Sequence, residues 1–244
     1  MKMHARVGLV QEDPAEQSKP EGRKKPKVIA FSGYEWTVKS GKQPLGPGPN
    51  YFSASEKNVW LDDKGRLHLK MTQKDGIWYC AEVDAVKSLG YGKYVFHVEG
   101  GIDRLDKNVV LGLFTYDCGA EKKYYREIDI EFAKWGKAKT KPGLYSVVPG
   151  WVKGNRVGFD FQLAGILSVH SFDWKTDSIC FQSLQGKGAG AKEIKSWNHA
   201  SKYVHKPGKE KAMINLWLFE GQSPSDAKEV EVVIRKFEFV PAQK

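Results

Sequence analysis

Glu127, Asp129 and Glu131 alternate with Ile128, Ile130 and Phe132 in the stretch YYREIDIEFAKWG, residues 124–136. A period of two is that of a half-buried β-strand, so the three carboxylates share one face and the apolar residues the other. Like charges at neighbouring same-face positions repel, yet the acids sit together in a chain whose formal net charge is +10. Three readings are open. A calcium ion wants six to eight oxygens, usually wrapped by a loop, whereas side chains on a regular strand stand parallel. A surface strand with incidental acids has to tolerate the repulsion beside Tyr124 and Tyr125. General acid–base chemistry needs two carboxyls in different protonation states, and crowding of like charges supplies that by raising the pKa of one of them.

Cleavage of a glycosidic bond is a reaction that uses such a pair directly. A strand would put Glu127 and Glu131 roughly 13 Å apart at Cα, at about 3.3 Å per residue, whereas the carboxyls of a retaining pair stand about 5–5.5 Å apart. Two long glutamate side chains and a curved sheet narrow the gap. The shorter Asp129 between them leaves room for a sugar and stays within hydrogen-bond reach of a neighbour.

The elements that must position these residues read as strands throughout. Short alternating or β-branched runs recur from Val28 onward, separated by Gly, Pro, Asn and Asp: NVWLDDKGRLHLKMT with a turn at DDKG, GKYVFHVEG, VVLGLFTY, GLYSVVPGW, VGFDFQLA, LSVHSFDW, SICFQSL, MINLWLF and VEVVIRKFEFV. No amphipathic helix competes with them, which predicts an all-β antiparallel sandwich or barrel. The Gly- and Lys-rich stretch 184–212 predicts surface loops around one short strand. With 244 residues the chain can bury a sizeable core, and no internal repeat or shift in composition divides it. The expectation is a flexible basic tail over 1–27 and a single domain over 28–244.

Composition narrows the function classes. No apolar run approaches the roughly 20 residues of a membrane span. The N-terminal stretch lacks the apolar region of a secretory signal, so either the protein stays inside the cell or an export sequence lies outside this chain; its localisation is left open. Cys80, Cys118 and Cys180 are widely spaced, without CxxC or Cys/His clustering, which argues against zinc and predicts free thiols. The basic clusters EGRKKPK and HKPGKEK carry no nucleic-acid-binding pattern and read as solvated surface; were the charge functional, it would suit a polyanion such as an acidic polysaccharide. No nucleic acid, membrane partner or required cofactor is expected, and a monomer is.

The hexapeptide EIDIEF resembles the Glu-x-Asp-x-Glu motif of glycoside hydrolase family 16, the jelly-roll group that includes licheninases, laminarinases and xyloglucan endotransglycosylases. WYCAEVDAVKSLGYGKYVFHVEG resembles the strand pair preceding that motif, VVLGLFTY the strand beside it, FDWKTDSICF the later Trp-bearing strand, MINLWLFEG the Asn-Leu-Trp strand bordering the cleft and EVEVVIRKFEFV the closing strand. Together they span most of residues 31–240. The resemblance implies an antiparallel β-sandwich of jelly-roll type, with a curved concave sheet forming a glycan cleft. It implies Glu127 as nucleophile, Glu131 as general acid and then base, and Asp129 as the modulator of the nucleophile. Glu82 would bond sugar hydroxyls, Asn215 would bond another, Trp217 would stack on a ring, and Tyr125 would line the cleft. The implied activity is a retaining endo-β-glycosidase acting on a mixed-linkage β-1,3-1,4 or β-1,3 glucan, with a transglycosylase or a non-catalytic glycan-binding jelly roll as alternatives.

The chain also departs from the licheninase pattern. Ala133, Lys134 and Trp135 replace the Leu-Gly after the motif, Asp84 stands where an Arg is usual, and Ser168 replaces a His. Cys80 matches one half of a licheninase disulfide, but the matching segment NYFSASEKNV holds no Cys. By the same parities Trp174 reads as core and His170 as a structural histidine.

Overall fold

The computed structural model describes residues 25–120 and 126–243. The expected tail lies outside the described residues except for positions 25–27, as do Tyr124 and Tyr125. Two single-turn 3-10 segments, Gly188–Gly190 and Phe219–Gly221, are the only helical pieces among the described residues.

Sixteen strands form two packed layers. The cleft-bearing layer runs in the order β11 (Arg156–Phe159), β10 (Gly143–Val147), β9 (Ile128–Ala133), β8 (Val109–Tyr116), β15 (Lys211–Leu218) and β6 (Ile77–Ala85), and β2 (Tyr34–Val38) and β1 (Val28–Phe31) extend it beyond β6. The outer layer runs β4 (Val59–Leu61), β5 (Leu67–Lys74), β16 (Val230–Pro241), β7 (Gly92–Glu99), β12 (Leu167–Trp174), β13 (Ile179–Gln185) and β14 (Lys192–His199). All of these pairings are antiparallel; the short β3 (Tyr51–Phe52) lies parallel to β6. The two layers join through β6 itself: Ile77–Tyr79 pair with β5, and Ala81–Asp84 pair with β15.

Period-two patterning accounts for the layering. Ile128, Ile130 and Phe132 of β9, Leu111 and Leu113 of β8, and Ile214 and Leu216 of β15 are fully buried between the layers. Facing them are Leu67 and Leu69 of β5, Phe96 and Val98 of β7, and Phe172 and Trp174 of β12. The closing strand keeps its own parity only with help. Val232 and Ile234 point inward, and a register shift between Ile234 and Lys236 then turns Phe237 inward, where it packs edge-on against Trp36 at 5.1 Å.

One polar cluster is sealed in this core. His170 lies between two hydroxyls, Ser168 Oγ and Ser183 Oγ, each 2.8 Å from one ring nitrogen, and Tyr145 donates to Ser183 Oγ at 2.7 Å. Burial lowers the His170 pKa to about 3, so the ring is neutral. His170 is thus structural and Trp174 is core, its indole N–H bonded to the His205 carbonyl at 3.0 Å.

The sequence expectations need adjusting in one place. The stretch 184–212 contains a full eight-residue strand, β14, whose Trp197 stacks on Phe181 at 5.2 Å; its alternation is hidden by Lys and Glu on the outward positions. β6 and β7, the strands of the segment likened to the pair preceding the motif, are not hydrogen-bonded to each other: β6 pairs with β5 and β15, and β7 with β16 and β12. β15, the strand likened to the one bordering the cleft, lies centrally in the cleft-bearing layer, flanked by β8 and β6, and lines the cleft with Met213, Asn215 and Trp217. All three cysteines are free thiols; Cys80 Sγ lies 3.4 Å from Asn50 Oδ1, at the start of the segment that the resemblance set opposite it.

Candidate functional site

On the cleft side of the layer, strand register aligns side chains in rows across β9, β8, β15 and β6. Glu131 is opposite Gly112, Gly112 opposite Asn215, and Asn215 opposite Glu82. In the next row Asp129 is opposite Phe114 and, on its other side, Ser146 of β10; Phe114 is opposite Met213 and Met213 opposite Asp84. Gly112 makes the first row feasible. A Cβ there would meet Asn215 Oδ1 at 2.4 Å, so only glycine lets the amide lie flat beside Glu131.

Glu127 is not in the strand. β9 begins at Ile128, and Arg126 before it has φ +49°, which turns the incoming chain. The turn is held from several sides. Thr115 Oγ1 donates to the Arg126 carbonyl at 2.8 Å, the Arg126 guanidinium donates to Asp117 at 2.7 Å and to the Lys206 carbonyl at 2.9 Å, and the Val148 N–H donates to the Glu127 carbonyl at 3.1 Å. Glu127 is therefore fixed on the cleft side by backbone bonding to Val148, just past the end of β10, although the ladder to β8 has ended.

The carboxyls along this edge titrate far from their usual range. Burial raises Glu131 to about 8, with the neighbouring Glu127 charge adding to it. Asp129 is raised well above the usual carboxylate range by burial and then by the charges of Glu127 and Glu131. Burial raises Glu127 to about 7, but a hydrogen bond from Asp129 pulls it back down. Asp129 thus holds a proton and donates it in a hydrogen bond to the Glu127 carboxylate, while Ser146 also bonds Asp129. The two neighbours act in opposite senses: the Asp129 hydrogen bond favours an ionised Glu127, and the charge on Glu127 favours a protonated Glu131.

Across the floor, Glu82 is fully enclosed. Lys39 Nζ lies 2.6 Å from Glu82 Oε1 and Asn215 Nδ2 donates to Oε2 at 3.0 Å, so both carboxylate oxygens are engaged within the protein. Lys39 also donates to the Gly46 carbonyl at 2.5 Å, and so ties the wall segment containing Gly46 and Pro47 to the floor. Asn50 braces that wall from behind, donating to the carbonyls of Pro47 and Leu218, each at 2.8 Å. Trp217 is half-buried at the other margin, against Trp135 at 6.4 Å. Asn215 Oδ1 and Asp84 Oδ1, both on this side of the layer, are buried without a hydrogen-bond partner.

The enclosed cleft has a volume of about 330 Å³ and is lined by Glu82, Glu127, Asp129, Glu131, Asn215 and Trp217 together. Of the residues singled out from the sequence, only Tyr125 is missing from this grouping, because it lies outside the described residues. Sequence reasoning missed Lys39, Ser146 and Gly112. Gly112 carried a readable signal, a lone glycine inside the strand-like VVLGLFTY; Lys39 carried none, since nothing local marks its pairing with a residue 43 positions away. Among the described residues no group of three or more His, Cys, Asp or Glu side chains is placed to hold a metal ion. No helix among them is long and apolar enough to cross a membrane.

No protein-family profile and no curated protein matches the sequence. Solved structures do match over most of the chain. A β-glucanase of Bacillus licheniformis superposes with a TM-score of 0.65 at 20% identity, covering 92% of this chain and 100% of its own. A prokaryotic β-1,3-1,4-glucanase (lichenase) from a mouse hindgut metagenome gives 0.63 at 20% identity, covering 88% and 99%. A pseudo-β-1,3-glucanase of Mycobacterium tuberculosis gives 0.65 at 16% identity, covering 85% and 91%. With the strand order and the acid-lined cleft above, these likenesses establish that the chain has the all-β jelly-roll fold of the β-glucanases, the fold that its resemblance to glycoside hydrolase family 16 implies.

Proposed function

We propose that the protein is a retaining endo-β-glycosidase that cleaves a β-glucan-type polysaccharide, with mixed-linkage β-1,3-1,4 or β-1,3 glucan as the backbone to test first, and that residues 28–244 act as one catalytic domain. The observation that carries the reading is the gathering of Glu127, Asp129 and Glu131 in the lining of one cleft, with Asp129 hydrogen-bonded to Glu127 and burial holding all three carboxyls above their usual range.

The chemistry follows from that arrangement. The Glu127 carboxylate attacks the anomeric carbon while Glu131 gives its proton to the departing glycosidic oxygen, leaving a glycosyl ester on Glu127 and an ionised Glu131. Glu131 then takes a proton from water as its oxygen displaces Glu127, restoring both groups. Asp129 tunes the nucleophile through their shared hydrogen bond. Glu82 orients Asn215, whose buried Oδ1 can accept from a sugar hydroxyl, and Trp217 offers a ring face at the margin.

The test is release of reducing ends from mixed-linkage glucan, laminarin, xyloglucan or a galactan by the purified protein. Glu127→Gln is expected to lower that rate by on the order of 10³-fold or more without loss of fold. A folded protein inert on all four polymers would sink the reading. A glycan-binding role without turnover is supported by the fold likeness to a pseudo-β-1,3-glucanase. Affinity electrophoresis separates the two, because a binder is retarded by a polymer it leaves intact. Transglycosylation differs only in a sugar hydroxyl replacing water, which incorporation of a labelled acceptor detects.

A further inference from the structure

In the basic cluster HKPGKEK, residues 205–211, Lys206 and Lys209 are exposed, Lys211 is half-buried, and the acid differs from all of them. Glu210, its one acid, is fully buried, accepting from Ser88 Oγ at 2.8 Å and from the Gly208 N–H at 2.6 Å. Alternation about Glu210 turns Lys209 and Lys211 the other way, and both line a second cavity of about 450 Å³. That cavity adjoins the acid-lined cleft and shares Lys39, Glu82, Tyr116 and Met213 with it. Lys211 is in register with Tyr116 on the floor, two same-face positions along β15 from Asn215. The cluster is also clamped in place: the Lys209 N–H donates to Asp117 Oδ2 at 3.1 Å, and the same carboxylate binds Arg126, which sets the turn before Glu127.

The charges around the second cavity do not cancel. Glu82 is paired with Lys39, Asp117 is paired with Arg126, and Glu210 faces inward. Among the described residues Asp84 is the one remaining acid of the lining; burial raises its pKa, with Lys211 opposing, and its Oδ1 has no partner. Two lysines therefore face one enclosed carboxyl at the Glu127 end of the cleft. A neutral glucan has no group that uses this excess.

We infer that the second cavity is a further subsite that takes an acidic substituent, a carboxylate or a sulfate, on a sugar of the polysaccharide bound across the acid row. The inference deepens the proposed glycosidase reading and rests on it for the bound backbone, though its binding test does not require turnover. Lys ammonium groups act as point charges without the planar fork of arginine, so planar carboxylate and tetrahedral sulfate are both accepted.

Affinity electrophoresis tests it, with mixed-linkage glucan and laminarin as neutral polymers and their carboxymethylated and sulfated derivatives as probes. Wild-type protein is expected to bind the charged derivatives more tightly than the neutral parents. In the double variant Lys209→Gln/Lys211→Gln the ratio of charged to neutral affinity falls about tenfold, two partly exposed charge pairs being removed. Retardation by only one of the derivatives identifies which acid the subsite takes. Exposed Lys187 and Lys192, on the β13–β14 hairpin of the outer layer, form the control pair, and Lys187→Gln/Lys192→Gln should keep the preference. The inference is overturned if wild type binds charged and neutral polymers alike, if the Lys209/Lys211 variant keeps the preference, or if the control pair loses it equally; thermal melts confirm that each variant is folded. Charge preference without cleavage would defeat the glycosidase reading alone, and cleavage without charge preference would defeat the subsite alone.

Discussion

The cleft-bearing layer carries a polar cluster on each of its faces, and the two are opposites. Toward the core, His170 has a hydroxyl at each ring nitrogen, and Tyr145 reaches across from β10 to complete the chain. Every member is satisfied and the histidine is held neutral. Toward the cleft, three carboxyls crowd together with raised pKa values, while Asn215 Oδ1 and Asp84 Oδ1 have no partner. A buried network that meets its own hydrogen-bonding needs adds rigidity, and one that leaves them unmet holds unfavourable free energy that a ligand can relieve. The contrast separates a structural cluster from a candidate reaction site without reference to any relative.

Substitutions on the two faces should therefore diverge. The largest effect expected is the loss of turnover in Glu127→Gln, on the order of 10³-fold or more, with stability kept or improved. His170→Ala should do the reverse: it opens a cavity and takes the ring partner from both Ser168 and Ser183, costing about 2–4 kcal/mol in chemical denaturation, while kcat of the folded fraction stays near wild type. A His170 variant that lost turnover at full stability would break the comparison.

Gly112→Ala probes the seam between the faces. The added methyl meets Asn215 Oδ1 and costs about 1–3 kcal/mol of overpacking, with a rise in KM because Asn215 is displaced from its bond to Glu82. The smallest effect is a pH-dependent one. Folded-state pKa values of about 7 for Glu127 and about 8 for Glu131 exceed their ordinary 4.5, so these groups favour the folded state below about pH 4.5, and that contribution is lost as pH rises through 7 to 8. Glu131→Gln removes its share of the loss. The variant should be more stable than wild type at pH 8 by about 1–2 kcal/mol, solvent in the cleft moderating the figure, and no more stable at pH 4.5, as thermal melts at the two pH values would show.

Much of this was legible in the sequence, because strand parity is local. EIDIEF fixed which side chains face the core, and the alternation of Asn215 with Trp217 put both on the cleft side. The illegible parts depend on chain folding over long separations. Whether Glu127 belonged to the strand turned on Arg126, whose positive φ is set by Asp117 and the Lys206 carbonyl rather than by its neighbours. That Glu82 would be closed off by Lys39 depended on a contact between β6 and the segment after β2. β14 was read as shorter than it is because Lys, Glu, Ser and Asn fill most of its positions and Ile194 and Trp197 are its only large apolar side chains. The lysine cluster looked like ordinary solvated charge until the burial of Glu210 separated its signs.

The passage of β6 from one layer to the other has a consequence for how the molecule breathes. Ile77–Tyr79 are bonded into the outer layer through β5, and Ala81–Asp84 into the cleft-bearing layer through β15, so this single strand belongs to two sheets. Local fraying at either sheet's margins leaves it untouched, and its amides around Glu82, held between β15 and β2, exchange with solvent only when the cleft-bearing layer opens at its centre. The floor on which a sugar would rest is thus among the slowest parts of that layer to open, and the mobility that a polymer needs to thread the cleft has to come from the walls.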